Sequence, residues 1–256
     1  KSRIPLPINK DELHLLSMTI NNLLDRVENA IEREKQFTSD ASHELRTPLA
    51  ATQATVESAL LVDLDPPETK DILTTIKREN KRLIQLVADL LLLARMDRKA
   101  IPLRRQLFCL NDLVSDLVEE LEPLAIANQV TLTNEFRVKK SLNVSGDCDQ
   151  LYRLVYNLIV NAIQHTPSDG QVTVILERDA SDALIQVKDT GIGIAPEHQK
   201  HIFDRFYRIQ DDRSRSTGGS GLGLAIAQSI ARSHSCKLSV CSELGKGSTF
   251  IFELPL

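Results

Sequence analysis

Tryptophan is absent from the chain, and seven phenylalanines and three tyrosines are its only aromatic side chains. A core must therefore be filled by Leu, Ile, Val and Ala, a composition that suits helix-on-helix packing. Long apolar runs are missing too. The most hydrophobic stretch, LIQLVADLLLLA (83–94), is too short to cross a bilayer and carries Asp89, and no signal peptide is present. Neither sign of charge dominates: 31 Lys and Arg stand against 35 Asp and Glu, a net charge of −4. That balance argues against a protein built to grip nucleic acid or anionic lipid. The four cysteines, Cys109, Cys148, Cys236 and Cys241, form no C-x-x-C pair and no zinc spacing, as expected of reduced thiols in a cytosolic protein. In that setting the NVS at Asn143 is not a glycosylation site. The chain starts with Lys1 rather than Met, so we expect the cytoplasmic portion of a longer protein, with any membrane anchor in a segment outside this chain.

Apolar residues make up 42% of the 256 positions and charged residues 26%, enough for a packed core and for two domains of ordinary size. Between residues 11 and 60 there is no glycine, and Pro48 is the lone proline. Leu13, Ile20 and Val27, and likewise Leu16, Leu23 and Ala30, recur seven apart, the spacing of a coiled-coil seam. Glu34 interrupts the seam, and Phe37 and Ala41 resume it, so one long helix with a local change of packing is expected. DLDPPE (63–68) stops that helix and starts another, because proline cannot continue a helix but suits its first turn. Ile72, Ile76, Leu83, Leu86, Leu90 and Ala94 then define a second amphipathic helix to about residue 98. The apolar stripes are wide for a single hairpin. A homodimer forming a four-helix bundle would cover them, and packing on the C-terminal part of the same chain is the alternative.

RKAIPLRR (98–105) reads as a linker. Beyond it, helical stretches at about 111–127, 147–164 and 221–234 alternate with VTLTN, QVTVILE, ALIQVKD, KLSVCSE and STFIFEL. The last four fit strands of one sheet. The expected fold class is thus α plus α/β: a helical hairpin, then an α/β sandwich with helices over one sheet face.

Three glycine-rich stretches punctuate this second part: DTGIGI (189–194), GGSGLGLAI (218–226) and GKGSTF (245–250). Each alone reads equally well as a turn. Together with the helix NLIVNAIQHT they suggest a nucleotide site. Asn157 and Asn161 lie four apart and project from one helix face, among Leu154, Leu158, Ile159 and Ile163, where polar groups need a reason. A carboxamide oxygen can hold Mg²⁺ without adding charge. Asp189 follows a strand and precedes a turn; a carboxylate there accepts from the exocyclic amine of adenine and disfavours the guanine carbonyl. Gly191 and Gly193 permit close approach of the base, and Ile192 and Ile194 supply apolar surface. GGSGLGLAI runs directly into a helix, whose free N–H groups and dipole suit phosphate. It is neither a Walker loop nor a Rossmann loop. FDRFYRIQDDRSRST (203–217) is charged and aperiodic after Tyr207 and reads as a lid over the nucleotide. Arg208 is placed to reach phosphate, whereas Arg213 and Arg215 read as solvated charges.

In the first part, HELRTPL (43–49) places His43 one residue past the seam of Phe37, Ala41 and Leu45, so its ring should face solvent. Imidazole changes charge near neutral pH, and its neutral nitrogen is a nucleophile. Pro48 removes the backbone hydrogen bond to Glu44 and is expected to leave a weak point, a candidate hinge.

These motifs, in this order, resemble the sensor histidine kinases of two-component systems over residues 37–256. The C-terminal part is similar to that family's Bergerat-fold, GHKL-type ATP-binding module, and SHELRTPL is similar to its phosphoacceptor box. Residues 1–33 resemble the end of a HAMP relay segment through DEL, the heptads and NNLLDRVE. The resemblance implies ATP-dependent autophosphorylation of His43 with Glu44 as general base, and transfer to an aspartate of a response regulator. It also implies a phosphatase role for Thr47. ATP and Mg²⁺ are the implied cofactors, with Asn161 on the metal. The implied nucleotide site comprises Asn157, Asn161, Gln164, His165, Asp189, Gly191, Ile192, Gly193, Ile194, Arg208, Gly219, Gly221, Leu222, Gly223, Leu224 and Ser248. Gln164 departs from the basic residue many relatives carry there, and His165 reads as well as a helix-end residue. The implied divisions are a HAMP-like helix (1–33), a dimerisation and phosphotransfer hairpin (34–98), a linker (99–105) and a catalytic domain (106–256). Rival readings are a Bergerat-fold ATPase of the chaperone or mismatch-repair kind, a serine kinase of the same superfamily, and a non-catalytic scaffold. The first two lack a histidine box, and the last would be expected to have lost Asn161, Asp189 or the glycines.

Overall fold

The computed structural model describes residues 3–7, 12–61, 65–97, 102–179, 181–209 and 220–256. They fall into two compact units, Lys1–Leu83 and Ile84–Leu256.

The first unit is built on α1 (Glu12–Leu60) and the first half of α2 (Pro66–Asp97). Asp65 caps α2 as DLDPPE predicts. Its Oδ1 accepts from Glu68 N (2.8 Å), and Glu68 Oε2 accepts in return from Asp65 N (3.3 Å). Pro66 occupies the first turn, where its missing N–H costs nothing. α1 continues through Pro48, so the expected weak point is one missing hydrogen bond rather than a break. Pro48 itself is buried. The heptad seam stays open to solvent within one chain: Leu13, Leu16, Leu23 and Val27 are 63%, 55%, 57% and 46% exposed. Residues 3–7 run alongside α1, where Arg3 pairs with Asp25 and Glu28 and the Asn21 amide bonds both N and O of Ile4.

In the second unit, β2 (Thr131–Phe136), β4 (Gln171–Asp179), β5 (Asp182–Asp189), β6 (Lys237–Glu243) and β7 (Gly247–Pro255) form one sheet in the order β2-β4-β5-β7-β6. The sheet has five strands rather than the four assigned from alternation, because VTLTN adds a parallel edge strand beside β4. A further two-stranded sheet, β1 (Gln106–Cys109) with β3 (Asn143–Gly146), has no counterpart in the sequence reading. Alternation along the central strands sends Val174, Val187 and Phe250, which are register partners, to one face, with Leu176, Ile185 and Phe252 beside them. Three helices pack there: α3 (Leu110–Ala127), α4 (Cys148–His165) and α6 (Gly223–Ser233). α6 packs against α4, and Ala225, Ala227 and Ala231 on it are buried. The short α5 (Pro196–Gln199) follows the β5 turn.

A buried histidine ties α4 to α6. Asp147, the N-cap of α4, donates its N–H to His234 Nε2 (3.1 Å), so Nδ1 carries the ring proton and donates to Ile230 O (2.9 Å). Desolvation holds His234 below the ordinary imidazole range, against the Ile230 carbonyl and Asp147. Folding therefore favours the neutral ring. Below about pH 6.5 the unfolded chain binds more protons than the folded one, so stability is lost as pH falls through that window. We expect the melting temperature to drop between pH 7.5 and 5.5, and to drop less in His234→Gln, which starts lower. Equal drops in both, measured by circular dichroism, would count against this origin.

Candidate active site

The chemistry-bearing residues of the second unit gather around the end of β5. Inward alternation through Ala183, Ile185 and Val187 ends at Asp189, which is 5% exposed. Its Oδ1 accepts two backbone N–H groups, from Gly191 (2.8 Å) and Ser248 (3.0 Å). Among the described residues Oδ2 accepts none, leaving one carboxylate oxygen for a ligand. Burial pushes the Asp189 pKa up, and the two N–H donors oppose that shift.

The turn after Asp189 is shaped by close approach. A Cβ on Gly191 would lie 2.4 Å from His165 O, and one on Gly193 (φ +70°) 2.0 Å from Glu243 O. Ile192 N donates to His165 O (3.3 Å), and Gly245 N to Ile192 O (2.7 Å). The turn is thereby held between the end of α4 and the β6–β7 hairpin. Ile192 remains 48% exposed and Ile194 half-buried, an apolar edge beside the carboxylate. Ser248 is buried, its hydroxyl 3.0 Å from Ser242 Oγ.

On α4, Asn157 and Asn161 are both half-buried. Asn157 Nδ2 is buried and has no hydrogen-bond partner among the described residues, a donor awaiting an acceptor. Asn157 Oδ1 faces Gly223, the first residue of α6, at 3.5 Å from where a Cβ would stand. The helix start and the asparagine face are thus brought together. Leu222 caps α6 from the core at 0% exposure, and Gly221 (φ +70°) lies against Phe206. Leu224 and Gln164 are half-buried. His165 sits exposed at the end of α4, with the Arg208 guanidinium acting on it electrostatically. Gly219, Arg213, Arg215 and most of the predicted lid lie outside the described residues. No cluster of three His, Cys, Asp or Glu able to hold a metal occurs among the described residues.

In the first unit His43 is exposed on α1, as the seam predicts, and Glu44 beside it is half-buried. Thr47 Oγ1 donates to His43 O (3.3 Å), one turn back, placing the two side chains on one face. Sequence reasoning missed Ser242, Gln199 and the Asp147–His234 bond; the Gln199–Ser242 and Asp147–His234 partners are 43 and 87 residues apart. Their only signal was polar residues near a glycine turn.

A phosphoacceptor helix joined to an α/β nucleotide module defines a class of protein, and comparison with known sequences agrees. Residues 33–99 match the His Kinase A (phospho-acceptor) domain, and residues 146–256 match the "Histidine kinase-, DNA gyrase B-, and HSP90-like ATPase" family. The Synechocystis sensor histidine kinase RppB is 50% identical over 226 residues, 88% of this chain and 50% of the relative. The Staphylococcus aureus sensor protein SrrB is 36% identical over 89% of this chain and 39% of its own length. The solved structure of full-length ShkA in complex with AMPPNP is 26% identical with a TM-score of 0.65, covering 86% of this chain and 45% of that one. The chain belongs to the sensor histidine kinases of two-component systems. It spans about half the length of RppB and less of SrrB, and no helix among its described residues is long and apolar enough to cross a membrane.

Proposed function

We propose that this chain is the ATP-dependent kinase portion of its protein, that it phosphorylates His43, and that it passes the phosphoryl group to an aspartate of a response regulator. The buried Asp189 carries this reading: one carboxylate oxygen is held by two backbone N–H groups while the other is left for the exocyclic amine of adenine. The complex of ShkA, 26% identical to this chain, with the ATP analogue AMPPNP supports the same ligand class.

The chemistry assigns each group a step. The Asn157 Nδ2 orphan donates to a phosphate oxygen, and the start of α6 offers its N–H groups to the same chain of phosphates. Arg208, electrostatically near His165, adds positive charge there. Asn161, a half-buried neutral carboxamide on the same helix as Asn157, is the residue we assign to hold Mg²⁺. Mg²⁺ supplies charge neutralisation on the phosphates. An imidazole nitrogen of His43 attacks the γ-phosphorus; the bond from phosphorus to the β–γ bridging oxygen breaks and ADP leaves. Glu44 takes the proton from the other ring nitrogen. Thr47, on the same face, orients water for the reverse hydrolysis on the regulator. A second copy covers the exposed seam on α1, giving a homodimer through the hairpin. Residues 1–33 act as a HAMP-like relay, and membrane attachment belongs to a segment outside this chain.

Transfer of label from γ-labelled ATP to the protein tests the proposal. Asn161→Ala should slow labelling about 100-fold or more while ADP binding without Mg²⁺ changes little. If labelling survives Asn161→Ala at the original rate, Asn161 is not the metal residue.

A further inference from the structure

We infer that Ser242 and Gln199 are positioning residues for the adenine end of the site: they set the turn that carries Asp189 and so fix affinity for the base. The inference deepens the nucleotide reading above and rests on it.

Three segments meet at these two side chains. Gln199, at the end of α5, donates from Nε2 to two carbonyls on different segments, Ile194 O and Ser242 O, each at 2.9 Å. Ser242, on β6, accepts from Ile194 N (2.7 Å) and donates to Gly247 O (2.9 Å). A hydroxyl has one proton. With that proton committed to Gly247, the 3.0 Å contact between Ser242 Oγ and Ser248 Oγ must be donated by Ser248. The same Ser248 gives its backbone N–H to Asp189 Oδ1. Both ends of Ile194 are thereby held, its N–H by Ser242 and its C=O by Gln199. One side chain thus ties the turn 189–194 to the strand that orients the carboxylate.

The bond from Gly245 N to Ile192 O also joins the turn to the hairpin, but among the described residues no other group holds Ile194. The turn already approaches the hairpin closely: a Cβ on Gly247 would lie 2.1 Å from Asp189 O. Ser242 and Gln199 thus fix the Ile194 end of the turn against the hairpin. Without Ser242 Oγ, Ile194 N–H loses its acceptor and Gly247 O loses a donor, and the apolar edge of Ile192 and Ile194 drifts from Asp189. The phosphate end, at Asn157 and the start of α6, contains neither residue. The effect should fall on the base and not on the transfer step.

The test uses the full chain. In Ser242→Ala and Gln199→Met, the dissociation constants of ATP and ADP should rise by one common factor, about tenfold, the same with and without Mg²⁺. The labelling rate at saturating ATP should stay at its original value. Because both side chains serve one network, the double variant should lose little more than either single. Ser242→Thr, which keeps the hydroxyl, should restore binding. Unchanged dissociation constants would overturn the inference. So would a loss confined to ATP with Mg²⁺, a fall in the saturating rate, or no rescue by Ser242→Thr, since these place the residues at the phosphate end or in the fold alone. Failure of the underlying reading looks different: the unmodified chain would bind neither nucleotide.

Discussion

Replacing His43 with glutamine is expected to abolish phosphoryl incorporation from ATP while leaving ATP binding within about twofold of its original value. The ring is exposed on α1, so the substitution removes no core packing, and exposed substitutions of this kind shift stability by only about 0.5 kcal/mol. Glutamine keeps a polar, helix-compatible side chain but has no nitrogen that can attack phosphorus. The loss must therefore be in chemistry rather than in folding or affinity. Filter-bound label and calorimetric ADP binding, measured on the same preparation, separate the two. Residual label on the variant would mean that another side chain accepts the phosphoryl group; parallel loss of binding would mean that His43 is structural.

The second large effect is expected at Asp189. Asparagine can keep Oδ1 and hence the bonds from Gly191 and Ser248. The ligand-facing oxygen becomes an NH₂, which meets the adenine amine donor to donor. Hydrogen bonds to charged groups contribute about 1.5–3 kcal/mol, so ATP affinity should fall about 10- to 100-fold. Stability should move the other way. The folded Asp189 pKa lies above its unfolded value because burial disfavours the anion. Such a group binds protons more tightly when folded, so stability is lost as pH rises through the window above about 3.8, and at neutral pH the anion destabilises the empty protein. Removing the charge should leave the ligand-free melting temperature unchanged or raised. A fall in melting temperature in step with affinity would show that Asp189 holds the fold rather than the nucleotide.

The contrast between those two residues shows what the sequence makes legible. Seven-residue recurrence over a stretch without glycine marks α1 as one long helix, and alternation along ALIQVKD ends on an inward Asp189. Both are local periodicities, which one strand of text carries completely. The β1–β3 pair is four residues on each side, too short for alternation to register, and its partners are distant in sequence. VTLTN is recognisable as β-rich, but its membership of the main sheet depends on a parallel partner reached through β3 and α4. The site divides in the same way. Glycines and asparagines announce themselves by spacing, whereas Ser242, Gln199 and His234 acquire meaning only once register brings them to Ile194 and Asp147. Glu44 and Thr47 stand where HELRTPL puts them on α1, and the roles proposed for them are those that the family resemblance implies.

One measurement bears most directly on the central claim. The unmodified chain is incubated with γ-labelled ATP and Mg²⁺, and the bound label is challenged with acid and with base. Phosphoryl transfer to His43 predicts label that is lost in acid, survives base, and maps to a peptide containing residues 43–47. Release of inorganic phosphate with no label on the protein, or label that resists acid, would contradict it.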